Sequence, residues 1–328
     1  MSLKIEMQNS KLNGLKLFET IDITKLDKLI QSDYLHIVPW INPQTGLKVC
    51  YDNEKAHLLA IRKKIKSNKL EVLYKSSKIG YGRVYPQKSL SLCSIRRQLR
   101  HTLAKDEYVD VDIDNAHPVI LMQLCEKNKI ECEYLTKYVN NRKKYLQEVM
   151  DTYGVDRDQA KQLFIRLAYF GTFEAWKDDC NIDSEVNIKF VKRYTQELQN
   201  IGTKVVNANP DLMKKIKKLS KDNEMASLVS TVLQEYEKRI LECIFNHLLL
   251  KKVISNNAVL CFDGIMIPKA NYDAKLLAEL SKVVSDEMKF NVNFSAKEMN
   301  EDYDIKDIVN EDSLNIKQNS LKRHIVKL

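Results

Sequence analysis

Seven consecutive residues carry the first chemical signal. In Tyr108-Val109-Asp110-Val111-Asp112-Ile113-Asp114 apolar and acidic side chains alternate. A strand, with its period of two, sets Asp110, Asp112 and Asp114 on one face. Like charges roughly 7 Å apart repel unless a cation sits among them. A solvent-facing edge strand whose acidic face is merely wetted is the plainer alternative. The second carboxylate is Asp263, set with Gly264 between Val259-Leu260-Cys261-Phe262 and Ile265-Met266-Ile267. Asp-Gly is the commonest two-residue hairpin turn, which explains the pair without any function. Flanks this apolar, however, predict a hairpin buried on both faces, bringing its one charge against another core element. Two hard-oxygen ligands from two strands, with open coordination, are what Mg²⁺ held against phosphates requires.

Cations suited to phosphate lie between these carboxylates in the chain. On a helix over Asp156–Ala168, Arg157 and Lys161 are i,i+4 neighbours, and Tyr169 follows two turns on. That face offers two cations to a phosphate chain and a ring to a base or sugar; solvated charges outside an apolar stripe of Leu163, Phe164 and Leu167 are the bland alternative. A larger cationic feature precedes them. The chain carries 53 Lys/Arg against 44 Asp/Glu, a net +9, yet residues 54–105 alone hold 14 against 2, a local +12 that leaves −3 for the remainder. Such a concentration points to a polyanionic partner. It includes Lys63, Lys64, Lys66, Arg83, Arg96, Arg97 and Arg100.

The elements that position these groups follow from periodicity. Leu15–Leu29 has helical spacing broken by Asp and Thr, and Asn53–Leu73 reads as a basic amphipathic helix. A loop is expected at Pro39–Gly46 and another over Ser76–Ser91. Ser94–Ala104 reads as a second basic helix, and Pro118 suits the first turn of a helix running through Leu124. Ser184–Gln199 is helical text, and Met225–Leu250 is the longest regular helix. With 328 residues, 44% hydrophobic and 30% charged, the chain fits neither a disordered polymer nor a membrane protein. A soluble protein of the cytoplasm is expected. Seven widely spaced cysteines without a C-x-x-C pair argue against zinc or a disulfide framework.

In this order the motifs resemble those of family A DNA polymerases. Gly82-Arg83, Leu90-Ser91-Leu92, Arg96-Arg97 and Arg100 lead into Tyr108–Asp112 as that family's template-lining residues lead into its motif A. Arg157-x3-Lys161-x7-Tyr169 has the spacing of motif B, Ser230-x3-Gln234 resembles the helix before motif C, and Phe262-Asp263-Gly264 resembles motif C. Asp112-x4-His117-Pro118 and Tyr169-Phe170-Gly171 are most similar to the transposon-virus polymerases, small relatives of family A DNA polymerases and of single-subunit phage-type RNA polymerases.

The resemblance implies an α+β right-hand polymerase with a small antiparallel palm sheet, helical fingers and a reduced helical thumb. It divides the chain into a thumb-like helical region (1–75), palm with motif A (76–125), fingers (126–224), palm with motif C (225–300) and a peripheral tail (301–328). It implies Asp112, Asp263 and the Ile113 carbonyl as ligands of two Mg²⁺ ions, with Mn²⁺ as a substitute. Arg157, Lys161, Tyr169 and His117 would meet the nucleotide; Arg83, Arg96, Arg97, Arg100, Lys63, Lys64 and Gln234 would meet a DNA template-primer. The partners implied are dNTPs or NTPs and a replicative helicase, with no membrane. Two departures stand out: Phe262 occupies the place of motif C's histidine, and His117 falls where family A DNA polymerases keep a glutamate against the ribose 2′-hydroxyl, leaving the choice of sugar open. An archaeo-eukaryotic-type primase would share Asp110-Val111-Asp112 and Phe262-Asp263 but needs a Ser-x-His between them, for which the chain has only Asn246-His247. A non-enzymatic nucleic-acid-binding replication factor, its carboxylates merely structural, is the third reading.

Overall fold

Alternation, capping and apolar stripes divide the chain into seven strands and twelve helices among the described residues. The computed structural model describes residues 2–32, 35, 51–219 and 221–303; the loop expected at Pro39–Gly46, Cys50 and the tail beyond 303 lie outside them. The order is β1 (Lys16–Thr20), α1 (Ile23–Gln31), α2 (Tyr51–Arg62), β2 (Lys69–Ser76), β3 (Val84–Pro86), α3 (Arg97–Ala104), β4 (Tyr108–Ile113) and α4 (Ala116–Lys127). Five helices follow: α5 (Glu133–Asn140), α6 (Arg142–Tyr153), α7 (Arg157–Ala168), α8 (Phe173–Asp179) and α9 (Lys189–Ala208). The chain then runs through α10 (Pro210–Lys217), α11 (Glu224–Leu250), β5 (Val259–Leu260), β6 (Gly264–Pro268), α12 (Lys275–Met288) and β7 (Phe294–Lys297).

The result is a mixed helix and antiparallel-sheet fold. One sheet has the order β5-β6-β4-β7, the other β1-β2-β3, and every pairing is antiparallel. The Tyr74 hydroxyl, receiving the Leu260 N–H at 3.2 Å, ties the two sheets together. α11 is the spine. Its buried stripe, including Leu228, Val232, Ile240, Ile244 and Leu248, packs on α4, α9, α10, α12 and β6. Helices α5–α9 form a separate layer around stacked rings of Tyr138, Phe164, Tyr194, Phe190 and Tyr145. Among the described residues no helix is long and apolar enough to cross a membrane.

Four stretches depart from their sequence-based expectation. Leu15–Leu29 is not one helix: Leu17 and Glu19 face inward on β1, and Asp22 then caps α1 by accepting the Lys25 N–H. The helix expected to reach Leu73 stops at Arg62. Ser67 and Asn68 at positive φ close a turn in which Lys66 and Lys69 exchange backbone hydrogen bonds, and Leu70, Val72 and Tyr74 alternate inward on β2. The N-terminal region expected to be helical therefore contributes two strands to a sheet. The loop expected over 76–91 contains β3, and the helix expected from Ser184 starts at Lys189 and runs on to Ala208.

Candidate active site

The two acidic segments meet as neighbouring strands. β4 pairs with β6 so that Asp112 stands opposite Gly264, and the Ile113 N–H donates to the Asp263 carbonyl at 3.0 Å. Cys261 and Gly264 exchange backbone bonds of 2.9 and 3.3 Å, which makes Phe262 and Asp263 the turn residues. The tip is thus one residue earlier than Asp263-Gly264, and Phe262 takes the positive φ of 66°. Gly264 is needed for another reason: a Cβ there would lie 2.0 Å from Asp112 Oδ1 and 2.5 Å from the Val111 carbonyl oxygen. Only glycine lets the Asp112 carboxylate rest against β6.

These carboxylates are electrostatically uncomfortable. Burial, with the charges of Asp110 and Asp263 adding to it, pushes Asp112 up to about 8. Burial also raises Asp263, with Glu237 adding and Arg83 opposing. Asp110 is raised by burial against the pull of Arg100, Lys297 and Arg97. Asp114, by contrast, accepts from Ser295 Oγ at 2.6 Å and pairs with Lys297 at 3.6 Å, so the third acidic side chain is tied to β7.

Several polar atoms around the cleft are orphaned. Asp110 Oδ1, Arg100 Nε and Asn115 Nδ2 are buried without a hydrogen-bond partner, and neither Asp112 nor Asp263 has an ion-pair partner among the described residues. Buried polar groups are ordinarily hydrogen-bonded, so each of these atoms calls for a partner. Among the described residues no group of three or more His, Cys, Asp or Glu side chains is arranged as a metal shell. The donor set is therefore a pair of hard carboxylates, which suits a cation that takes its remaining ligands from backbone and phosphate oxygens.

A cleft of about 690 Å³ opens over these residues and brings most of the expected site together: Asp112, Ile113, Asp263, Arg157, Lys161, Tyr169, His117, Arg83, Arg97, Arg100 and Gln234 all line it. Asp156 starts α7 with a capping box to Gln159, which fixes Arg157 and Lys161 on the first two turns. Burial lowers the Lys161 ammonium, and the charges of Arg142, Arg97 and Arg157 lower it further against the opposing Asp158. Arg142, at the start of α6, was not singled out by sequence spacing; it joins the cluster because α6 packs on α7.

The rest of the cleft wall is a polar chain centred on Glu237. This carboxylate, fully buried on α11, accepts both guanidinium nitrogens of Arg83 at 2.8 Å and contacts His117 Nε2 at 3.2 Å. Burial alone would raise it, but the bonds from His117 and Arg83 hold it below its ordinary value. His117 Nδ1 in turn meets the Tyr169 hydroxyl. The Arg83 guanidinium lies 4.7 Å from the centroid of the Phe262 ring, on the other side from Glu237 in the chain of contacts. Glu237 was missed because it reads as an ordinary charge on a long helix; its one signal is its place three residues beyond Gln234, the same face one turn on. Gly82 at φ +81° brings its N–H to Glu235 (3.0 Å), and a Cβ there would meet Gln234 Oε1 at 3.1 Å.

Three expected nucleic-acid contacts are not in the cleft wall. The Arg96 side chain is 4% exposed, makes a two-pronged pair with Glu54 (2.6 and 3.2 Å) and donates to the Tyr303 hydroxyl, so it braces α3 against α2. Lys63 and Lys64 are exposed just after α2 and do not line the cleft. Arg97 lines it but is paired with Glu301 at 2.8 Å.

Comparisons with known proteins add the following. No protein-family profile matches the chain. A protein of Sputnik virophage named "Putative helicase V13" is 32% identical over 221 residues, which is 66% of this chain and 28% of that protein. The chain thus spans little more than a quarter of its curated relative. Among solved structures, the POL domain of Pol1 from M. smegmatis, in complex with DNA primer-template and dNTP, superposes with a TM-score of 0.47 at 10% identity, over 86% of this chain and 66% of that one.

Proposed function

We propose that the chain is a template-directed nucleotidyltransferase, a DNA polymerase or primase-polymerase of a viral or mobile-element replication system. One observation carries the reading: two adjacent half-buried carboxylates without ion-pair partners among the described residues, Asp112 and Asp263, share a single cleft with the cations Arg97, Arg142, Arg157 and Lys161. In this reading the four-stranded sheet is the palm and helices α5–α9 are the fingers. The resemblance of the ordered motifs to transposon-virus polymerases supports the same assignment.

Asp112, Asp263 and the Ile113 carbonyl would hold Mg²⁺, or Mn²⁺ in its place, which would supply Lewis-acid activation of a primer 3′-hydroxyl and charge neutralisation for a leaving pyrophosphate. The chain's own groups do the positioning. Arg157, Lys161 and Arg142 hold the triphosphate and stabilise charge that grows on it in the transition state. Lys161 gains most from an arriving anion, since burial and its cationic neighbours already weaken its hold on a proton. Tyr169, oriented by His117, walls the site where a new base pair forms, and Glu237 fixes both His117 and Arg83. Arg97 and Arg100 meet backbone phosphates, which makes binding sequence-independent and steeply salt-dependent. A helicase partner fits the name of the virophage relative.

The test supplies primed and unprimed single-stranded templates with dNTPs or NTPs in separate reactions and reads product length. Extension of the primed template in Mg²⁺ is the expected outcome. Absence of product in every combination, with oligonucleotide binding intact and indifferent to Mg²⁺, would instead mark a binding module.

A further inference from the structure

The +12 segment does not lie bare. After β7 the chain turns back across α3 as a short acidic strap, residues 298–303, reading Glu-Met-Asn-Glu-Asp-Tyr. Glu301 takes Arg97 at 2.8 Å with one carboxylate oxygen and Gln98 Nε2 at 3.4 Å with the other. Asp302 pairs with Lys105, and the Tyr303 ring lies under the Arg96 guanidinium, 5.3 Å from centroid to carbon. Two backbone bonds pin the strap: the Glu301 N–H donates to His101 Nδ1 at 3.2 Å and the Tyr303 N–H to Thr102 Oγ1 at 2.9 Å. Burial and the adjacent Arg100 push His101 down to about 4, so its ring stays neutral and its Nδ1 accepts.

We propose that this strap is an internal mimic of a nucleic-acid backbone, occupying the phosphate track of α3 and yielding it to a bound strand. Glu298 and Glu301 line the same cleft as Asp112 and Lys161, so the strap's carboxylates stand where a phosphate chain would run. Its outer pair is of the replaceable kind, while Lys105–Asp302 is more enclosed, at 36% and 18% exposed. The Arg97 and Glu301 side chains are 57% and 43% exposed, and exposed ion pairs hold weakly enough for a multivalent polyanion to displace them. The arrangement raises the threshold for binding, admitting long strands that engage several cations at once and rejecting small anions. The proposal rests on the reading of the cleft as a nucleic-acid site but does not require that it perform chemistry.

The experiment measures binding of a fluorescent single-stranded oligonucleotide, without Mg²⁺ or triphosphates, to the full chain and to its Glu301→Gln/Asp302→Asn variant over a salt series. The variant is expected to bind about tenfold more tightly at low salt, with a salt slope steeper by roughly 1.4, the worth of two further phosphate contacts on a single strand. Weaker or unchanged affinity with an unchanged slope would show that the strap merely braces α3 and would overturn the proposal. So would a gain confined to inorganic tripolyphosphate. A second measurement uses the unaltered protein: hydrogen exchange at the Glu301 and Tyr303 amides is expected to accelerate on oligonucleotide binding, and unchanged or slower exchange contradicts displacement. Incorporation assays stay separate from both. A chain that gains affinity yet never incorporates nucleotides sinks the polymerase reading alone, and one that incorporates without gaining affinity sinks the strap alone.

Discussion

At the scale of residues, Asp112 is the group that the fold pays most to keep. It is half-buried, forms no ion pair among the described residues, and lies beside Asp110 and Asp263, which push its proton affinity the same way as desolvation does, with only the more distant charges of Lys297 and Arg100 opposing. Asp112→Asn is therefore expected to stabilise the metal-free protein by roughly 1–2 kcal/mol while removing a ligand; thermal unfolding in chelator measures it, and a destabilised variant would contradict the account. Arg96 has the opposite character. Because it is enclosed and paired with Glu54, Arg96→Ala should lower the melting temperature, with a loss of roughly 2–4 kcal/mol from an uncompensated Glu54 and lost packing, more than it lowers oligonucleotide affinity per folded molecule. Parallel unfolding and binding titrations decide between these roles. Spacing made the face of Asp110, Asp112 and Asp114, with Asp263, Arg157 and Lys161, candidates that each had a plainer alternative; the choice of Asp112 among the three came from the resemblance of the ordered motifs. Spacing did not separate Arg96 from Arg97, since which of two adjacent arginines faces a glutamate 42 positions away is settled by packing. Arg142 and Glu237 were hidden for the same reason.

At the scale of elements, the site depends on how closely β4 and β6 approach. Gly264→Ala places a methyl group against Asp112 Oδ1 and the Val111 carbonyl, so either the carboxylate or the strand must move. A loss of roughly 1–3 kcal/mol together with loss of nucleotide incorporation is expected; an active, fully stable Ala variant would show that this contact is unimportant. The smaller sheet has its own anchor in Glu19 on β1, which receives Tyr74 Oη (3.0 Å), Ser91 Oγ (2.6 Å) and the Leu92 N–H (2.7 Å) and so joins β1, β2 and the segment after β3. Burial outweighs those donors and raises its carboxyl from 4.5 to about 7. The folded state thus binds this proton more tightly than the unfolded state does. The contribution of Glu19 to stability is fullest below about pH 4.5 and declines by roughly 3 kcal/mol as pH rises to about 7. Denaturant titrations from pH 4.5 to 8 should show that slope in the unaltered chain and a flatter one after Glu19→Gln. The period of two made β4 readable in the sequence, as the apolar stripe did α11. β1 and β2 were not: each adjoins a helix in the chain, and apolar residues at such junctions satisfy both periods until Asp22 or the Ser67-Asn68 turn imposes a break.

At the scale of the whole molecule, Arg97 and Arg100 of the basic segment, the carboxylates Asp112 and Asp263, and the cations Arg142, Arg157 and Lys161 line one cleft although they come from β4, the turn before β6 and helices α3, α6 and α7. The acidic strap adds a layer that net charge conceals: a surplus of +12 in residues 54–105 is partly answered by carboxylates on α11 and after β7, through Arg83–Glu237, Arg97–Glu301 and Lys105–Asp302. The most direct measurement of the central claim is primer extension by the unaltered chain and by Asp112→Asn and Asp263→Asn, each with Mg²⁺ and with chelator, alongside oligonucleotide binding. The account predicts extension only by the unaltered chain in Mg²⁺, with either substitution lowering the rate by at least about a thousandfold and leaving binding within a few-fold. Extension by either variant at a comparable rate, or extension in chelator, would contradict it.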